Sequence, residues 1–548
     1  MTARSGAILR SESPRSPCRA RALDGALEPE RGRVRGLNGR VLPEPDPALC
    51  RALAADLRDA GFGSDALRAA WGDNADTAIA RGLRSPAARA LDARRDPLAV
   101  LGRLFVLGMP QPESSVTSAL PRTGADGLAR LGLAARMDGD VMPRAIIRPQ
   151  SFADDRGAGQ WWIGSDLDEA ALGGALPEDH VLGVGGASLT LAALQLPTRV
   201  ARALDIGAGC GIQALRSRRD VAHVVATDVS EAALRFTRLN ALLNDVPGIE
   251  TRRGSLFAPV EGEQFDRVVS NPPFVITPRA DGVPAYEYRD GGMQGDDLVA
   301  AFVSGVGAHL APGGVAQLLG NWESHPGERG IDRARGWVEA SPVALDAWVV
   351  ERESLDPLSY AELWIRDGGT LAGTPEFAAL VDAWLEDFSA RGVTEVGFGY
   401  VLLRRPAGGR PTLHRYERLP HALDPRTALG SHYAAALAAH DRLVTLDDEA
   451  LAASVLVVAA DVTEARHHLP GVESPSVIEL RQGGGFARTK TADPGLAALV
   501  GACDGDLPVG VLVDAIASLL EFDAAELRGE LLPAVRELVF TGFLRFDE

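Results

Sequence analysis

The chain has 548 residues, 46% hydrophobic and 24% charged, with a formal net charge of −18. That length exceeds one hydrophobic core, so several globular domains are expected. The negative balance argues against broad nonspecific nucleic-acid binding, which needs Lys and Arg to neutralise phosphate, while leaving room for a local basic groove.

The four cysteines, Cys18, Cys50, Cys210 and Cys503, show neither metal-ligand spacing nor a disulfide framework. No apolar run reaches membrane-spanning length, and no signal-type apolar core follows the N-terminal arginines. A cytoplasmic protein with no membrane partner and no metal is expected.

Residues 1–45 carry many arginines among Ser, Gly and Pro, a composition that buries no core and predicts a disordered tail. It reads first as a bland tail or an upstream start, and second as a basic arm for RNA. From 46 to 160 the pattern is helical, with stripes at Leu49, Leu53, Leu57 and Phe62 and again from Leu98 to Leu107. A helix around Leu128 then leads to Met137-Asp138-Gly139-Asp140, an Asp-Gly hairpin signal. Helix followed by hairpin is winged-helix-like, and Arg136, Arg144 and Arg148 lie on it. These arginines read equally as contacts to RNA or protein and as solvated side chains.

Trp161–Asp166 reads as a strand, and Asp179–Thr190 enters a helix ahead of Val200–Ile206, a short apolar strand. His180 is tempting as a base but reads as structural. The strand runs into Asp205-Ile206-Gly207-Ala208-Gly209-Cys210-Gly211. This G-x-G-x-G spacing is neither the G-x-G-x-x-G of a dinucleotide fold nor a P-loop, and its glycines let a ligand touch backbone. Cys210 reads as a small packing residue. A second strand, His223–Thr227, ends at Asp228, where a carboxylate can accept both hydroxyls of a ribose. A helix runs from there to about Asn244. A third strand near Ile249–Arg253 leads to Gly254-Ser255-Leu256-Phe257.

The next strand ends in Val268-Val269-Ser270-Asn271-Pro272-Pro273-Phe274. Two prolines cannot continue a central strand, so the chain leaves the sheet as a stiff loop. That loop sits at the carboxyl edge, where open α/β sheets bind ligands. The Asn271 side-chain oxygen and the Pro272 carbonyl can take the two N–H protons of a planar amino nitrogen. Its lone pair is then aimed at an electrophile, and the ring of Phe274 can cover the group. Alternatively, the stretch is a proline turn with a solvated Asn, and Asp205 and Asp228 are cap or strand-end residues.

Taken together, D-I-G-A-G-C-G-I, Asp228, G-S-L-F and V-V-S-N-P-P-F resemble a class I S-adenosylmethionine-dependent methyltransferase. The N-P-P-F is similar to that of amino-group methylators: release-factor glutamine methyltransferases and ribosomal-RNA guanine and adenine N-methyltransferases. The resemblance covers about residues 182–406. It implies an α/β fold with a seven-stranded Rossmann-like core, expected over 161–406; the patterns on either side of it are those of helical, winged-helix-like accessory domains. It implies S-adenosyl-L-methionine as cofactor. Asp205, Gly207, Gly209 and Gly211 would shape the methionine end, Asp228 would hold the ribose, and Ser255 and Leu256 would flank the adenine. Asn271, Pro272 and Phe274 would hold the target nitrogen, with Asn271 also bordering the cofactor. Relatives often carry an acidic residue where Ser255 stands. The segment before the first core strand would close over the cofactor. Thr277–Asp297 would frame the substrate, with Asp296 and Asp297 capping the next helix and Ala311–Gly314 ending it.

Arg404-Arg405-Pro406 marks the expected end of this domain. A helical connector is expected over 407–445 and an α+β domain, again winged-helix-like, over 446–548, with no catalytic constellation. The expected substrate is a glutamine side-chain amide in a translation termination factor. The alternative is a base amino group of ribosomal RNA. A third reading is a non-catalytic cofactor-binding scaffold.

Overall fold

The computed structural model describes residues 42–547 except 155, 173–175, 178, 281, 285–288 and 424–428. Residues 1–41 of the Arg-rich tail and part of the Thr277–Asp297 loop therefore lie outside the described residues.

Eight strands form the central sheet: β1 (Val200–Ile206), β2 (Val221–Asp228), β3 (Ile249–Arg253), β4 (Phe265–Ser270), β5 (Leu310–Ser324), β6 (Asp346–Leu355), β7 (Glu395–Arg404) and β8 (His414–Arg418). Their order is 3-2-1-4-5-7-6-8. Strands β1 to β5 are mutually parallel, with Leu204 opposite Val225 and Val268, and Val268 opposite Ala316. The reason is visible in the residues: Ala203, Leu204, Val224, Val225, Val268 and Val269 are buried without polar alternation. A strand covered by helices on both faces has this pattern. β7 runs antiparallel between β5 and β6, with Val401 opposite both Leu318 and Val349. Strands β1 to β7 form the expected seven-stranded core. Strand order reverses between β1 and β4, which places the crevice at their carboxyl ends.

The covering helices include α1 (Gly186–Leu194), α2 (Ile212–Ser217), α3 (Glu231–Leu243), α4 (Asp297–Gly305), α5 (Gly330–Glu339), α6 (Pro357–Asp367) and α7 (Pro375–Arg391). α6 and α7 fill the connection between β6 and β7 and pack Tyr360, Trp384 and Phe388 with Ile276 of the post-β4 loop.

Before the core, helices from Pro47 onward lead to a three-stranded sheet of Gln111–Pro112, Ala134–Met137 and Asp140–Pro143. Asp138 and Gly139 make its hairpin turn, both at positive φ (53° and 88°), as a two-residue Asp-Gly turn requires. A second hairpin pairs Ala145–Asp154 with Gly157–Asp166 along its whole length, so the expected boundary at 160/161 falls inside a strand. This hairpin is latched to α3 by two asparagines one helical turn apart. Asn240 Oδ1 accepts from the Gly164 amide (2.7 Å) while its Nδ2 donates to the carbonyls of Gly164 (2.9 Å) and Cys210 (2.8 Å). Asn244 exchanges two 2.8 Å bonds with the Trp162 backbone.

On the far edge, the expected helical connector over 407–445 is only partly helical. His414–Arg418 instead adds β8, parallel to β6 with Tyr416 opposite Val349. Asp346 Oδ1 draws in the amides of Thr412 (2.7 Å) and Leu413 (3.0 Å), and the Trp348 indole donates to Glu417 (2.7 Å). The helix Leu429–Leu443 follows. The C-terminal region carries two three-stranded sheets and four helices from Asp448 onward among the described residues. It packs on β6 through Trp348, whose ring meets Tyr433, Phe486 and Phe540 at 4.7, 5.8 and 4.8 Å. Glu417 is clamped between Arg415 and Arg488; these two guanidiniums overcome its burial and hold its carboxyl down at about 2.

Two local expectations are corrected. Asp296 does not cap α4 with its side chain; its carboxylate takes the Glu323 amide (2.9 Å) and pairs with Arg333 (2.8 Å), neighbours far away in sequence. Ala311–Gly314 does not end the helix either. The helix closes in a 3-10 turn at Val306–His309, and these four residues form an irregularity inside β5. Among the described residues, no helix is long and apolar enough to cross a membrane.

Candidate active site

A cavity of about 340 Å³ opens at the carboxyl ends of β1, β2 and β4, within the usual range for small-molecule sites. Gly207 and Gly209 after β1, Asp228 at the end of β2, Ser255 and Leu256 after β3, and Asn271 and Pro272 after β4 all border it. The order of strands explains the convergence, because β1 lies between β2 and β4. Elements 60 residues apart in sequence become adjacent at one edge.

Gly207, Gly209 and Gly211 all have positive φ (72°, 54°, 84°), which only glycine adopts without strain. The positions differ in what a side chain would meet. A Cβ at Gly209 meets nothing within 4 Å, whereas one at Gly211 would lie 2.9 to 3.1 Å from Thr237 of α3. Gly209 therefore keeps the ligand side bare, and Gly211 lets the glycine turn close on α3. Leu256 also has positive φ, 47°; a bulky side chain held there is strain of the kind that collects at ligand clamps.

Asp228 Oδ2 accepts from the Gly209 amide and Oδ1 from the Ser230 amide, both at 2.9 Å. Burial pushes its carboxyl upward and these amides oppose that, leaving lone pairs for a diol. Asn271 is different. Its Nδ2 donates to Ser188 Oγ (3.4 Å), and its Oδ1 is buried without a hydrogen-bond partner. The neighbouring strand end is fixed by Ser270, whose hydroxyl donates to the Ile206 carbonyl (2.8 Å).

Three of the residues singled out from sequence do not border the cavity. Asp205 is fully buried in β1, opposite Ala226 and Val269, and neither of its oxygens has a partner of good hydrogen-bonding geometry. Burial pushes its carboxyl up to about 7, opposed by the Ala214 amide. Gly211 lies behind the turn. Phe274 packs sideways, with its ring 5.4 Å from Phe398 and 6.5 Å from Trp364, and pairs by a bridge with Asp290.

The cavity is also lined by residues to which the sequence assigned no site role one by one. His180, Val181, Leu182, Gly183 and Ser188 come from the segment before β1, Gln213 and Leu298 from helices, and Asp290, Gly291 and Gly292 from the loop after β4. Asp290 is held by Arg279 (2.9 Å) and by the Gly292 amide (2.9 Å). Its glycine-rich setting was the available signal. Gln213 lies two residues after Gly211, but a polar residue at a helix start carries no signal of its own. Burial lowers the His180 imidazole to about 4, so it is neutral at physiological pH.

Residues 185–325 match the family model "Methyltransferase small domain". Over this stretch the chain is similar to a methyltransferase domain. Its flanks match two domains of unknown function, DUF7059 over 59–144 and DUF7782 over 436–546. Curated relatives of the methyltransferase domain include a release factor glutamine methyltransferase of Xylella fastidiosa, 32% identical over 145 residues, which cover 25% of this chain and 53% of that protein. Another of that description, from Geobacter sulfurreducens, is 29% identical over 35% of this chain and 72% of that protein. A ribosomal protein uL3 glutamine methyltransferase of Bradyrhizobium diazoefficiens is 31% identical over 26% and 46%. The chain thus spans about half the length of the first curated relatives it matches. Among solved structures, it is similar to a T. thermophilus 16S rRNA N2 G1207 methyltransferase complexed with AdoMet and guanosine. The identity is 21%, over 49% of this chain and 67% of that one, with a TM-score of 0.26.

The site fits S-adenosylmethionine. Bare glycine backbone, a strand-end carboxylate with free lone pairs and a cleft between β1, β2 and β4 suit an amino acid joined to a nucleoside.

Proposed function

We propose that this protein transfers the methyl group of S-adenosylmethionine to the side-chain amide nitrogen of a glutamine in a protein of the translation machinery. The observation that carries the reading is the buried, partnerless Oδ1 of Asn271 at the cavity wall. A buried acceptor without a donor costs about 1–3 kcal/mol, and a substrate N–H removes that cost on binding. The glutamine-methylating relatives support the choice of substrate, and such a substrate places the reaction in the cytoplasm.

The cofactor, when bound, supplies an electrophilic methyl on a sulfonium. The chain's own residues do the rest. Asp228 accepts the ribose hydroxyls, and the Gly207–Gly209 backbone admits the methionine end. Ser255 and Leu256 flank the adenine. Asn271 Oδ1 and the Pro272 carbonyl accept the two amide protons of the target, turning the nitrogen lone pair toward the methyl and stabilising positive charge as it grows. Phe274 backs this loop from outside the cavity. The proton is lost to solvent after transfer, so no general base is required. His180, held neutral by burial, puts no cation beside a sulfonium.

The arginines near the rim, Arg279 and Arg289, are ion-paired with Asp290 and Asp367. They offer no bare cationic track for RNA. The test is transfer of labelled methyl into an extract of a strain lacking the gene, separated into protein and RNA. Label in protein, released as methylamine on acid hydrolysis, is the expected result. Label in ribosomal RNA overturns the choice of substrate, and bound cofactor without any transfer overturns the enzymatic reading.

A further inference from the structure

Asn271 serves a target N–H only when its amide is turned the right way round. The two ends of the amide are nearly equal in size and opposite in hydrogen bonding, and half a turn of the last torsion exchanges them. With Nδ2 outward, its hydrogens would confront those of the substrate. In the structure Nδ2 points to Ser188 Oγ at 3.4 Å, and Oδ1 is left for the ligand.

Ser188, in the first turn of α1, is itself held by a buried line of side chains. Its carbonyl accepts from Gln213 Nε2 at 2.7 Å; Gln213 Oε1 accepts from Gln195 Nε2 at 2.8 Å; Gln195 Oε1 accepts from the Ser217 hydroxyl at 2.8 Å. Gln213, Gln195 and Ser217 are at most 3% exposed. Each glutamine amide is used at both ends, so each has one orientation that satisfies it. Packing α1 against α2 needs only apolar contact. Burying two amides there costs desolvation unless every group is matched, and the matched line ends on the Ser188 carbonyl, holding that main chain in place.

We propose that Ser188 is a positioning residue for methyl transfer: its hydroxyl, accepting from Nδ2, holds the Asn271 amide with Oδ1 left for the ligand, and the Gln213–Gln195–Ser217 line holds the Ser188 main chain. The inference rests on the amide-methylation reading. It adds to it the group to which Asn271 Nδ2 donates, which leaves Oδ1 for the substrate.

The test compares Ser188→Thr with Ser188→Val, which have the same shape and differ in the hydroxyl, with Ser188→Ala as a third variant. Two readouts are taken on the full chain: turnover with cofactor affinity, and the side-chain NH₂ resonances of Asn271, identified by their loss in Asn271→Asp. Ser188→Val and Ser188→Ala are expected to lose kcat by about tenfold or more, the size of one hydrogen bond, with cofactor affinity unchanged. Ser188→Thr should restore it, and the Asn271 NH₂ resonances should shift in Val and Ala but not in Thr. Equal kcat in Thr and Val, or unmoved Asn271 resonances, overturns the proposal. Absence of glutamine methylation by the wild type sinks the functional reading instead, while the resonance comparison still decides whether Ser188 orients Asn271.

Discussion

The two walls of the cavity differ in how completely their polar groups are engaged. On the β2 side, Asp228 is braced by two backbone amides before any ligand arrives. On the β4 side, Asn271 Oδ1 has no hydrogen-bond partner. One wall is preassembled; the other is completed by what binds. The difference matches a division of labour in which a cofactor is held first and a target nitrogen is then taken up.

The largest effect is expected where the incomplete wall is truncated. Asn271→Ala should lower kcat by about 10²–10³, as removal of one preorganised group at a reacting centre does, with cofactor affinity intact by calorimetry. Full activity in this variant would refute the amino-group mechanism. The second test takes Asp205. Its carboxyl titrates near 7 in the folded chain against 3.8 unfolded. The stability it contributes is therefore fully present below about pH 4 and lost as pH rises through about 7. Asp205→Asn should show no advantage at pH 4 and gain up to about 4 kcal/mol over wild type above pH 7, read by denaturant unfolding at several pH values. His180, lowered from 6.5 to about 4, acts in the other direction, losing stability as pH falls below about 6.5, and cancels in the comparison. A constant difference between pH 4 and 8 would show that Asp205 finds a partner in solution.

On the braced wall, Asp228→Ala should weaken cofactor binding roughly 10- to 100-fold, since a hydrogen bond to a charged group is worth about 1.5–3 kcal/mol. If affinity held and only kcat fell, the ribose assignment would be wrong. A smaller effect is expected at the latch beneath both walls. Asn240→Ala leaves the Gly164 amide and the Gly164 and Cys210 carbonyls without their side-chain partner. It should cost about 2–3 kcal/mol in chemical unfolding, with methyl transfer retained at low temperature.

What was legible in the sequence follows from how local each determinant is. The glycine turn, Asp228 and Asn-Pro-Pro-Phe are short motifs at strand ends, and each strand announces itself by an apolar run. β8 gave no such sign. His-Arg-Tyr-Glu-Arg has no apolar run, and it becomes a strand because Asp346 and Trp348, far earlier in the chain, draw it onto the sheet edge. Asn240 and Asn244 likewise read as polar positions in a helix; their partners lie 76 and 82 residues away. Phe274 was given a ligand face because it follows the prolines. Rotation of the loop turns its ring instead toward Phe398 and Trp364. Alternation and motif spacing report what a segment does by itself and cannot report a pairing made by a distant side chain.

The smallest effect is expected inside the glycine turn, at Cys210. A thiol inside the glycine turn, between Gly209 and Gly211, invites a catalytic role, but nucleophilic chemistry requires the thiolate. Burial pushes this thiol up to about 11, so it stays protonated at neutral pH, and its side chain packs among the apolar residues beneath α3. Its backbone carbonyl, not its sulfur, carries the structural bond, to Asn240. Cys210→Ala should therefore keep methyl transfer within about twofold and lose roughly 1 kcal/mol of stability for the vacated sulfur. Iodoacetamide should modify Cys210 slowly in the folded chain. A loss of transfer comparable to that of Asn271→Ala would place the sulfur among the reacting groups and make the preassembled wall a chemical participant rather than a holder.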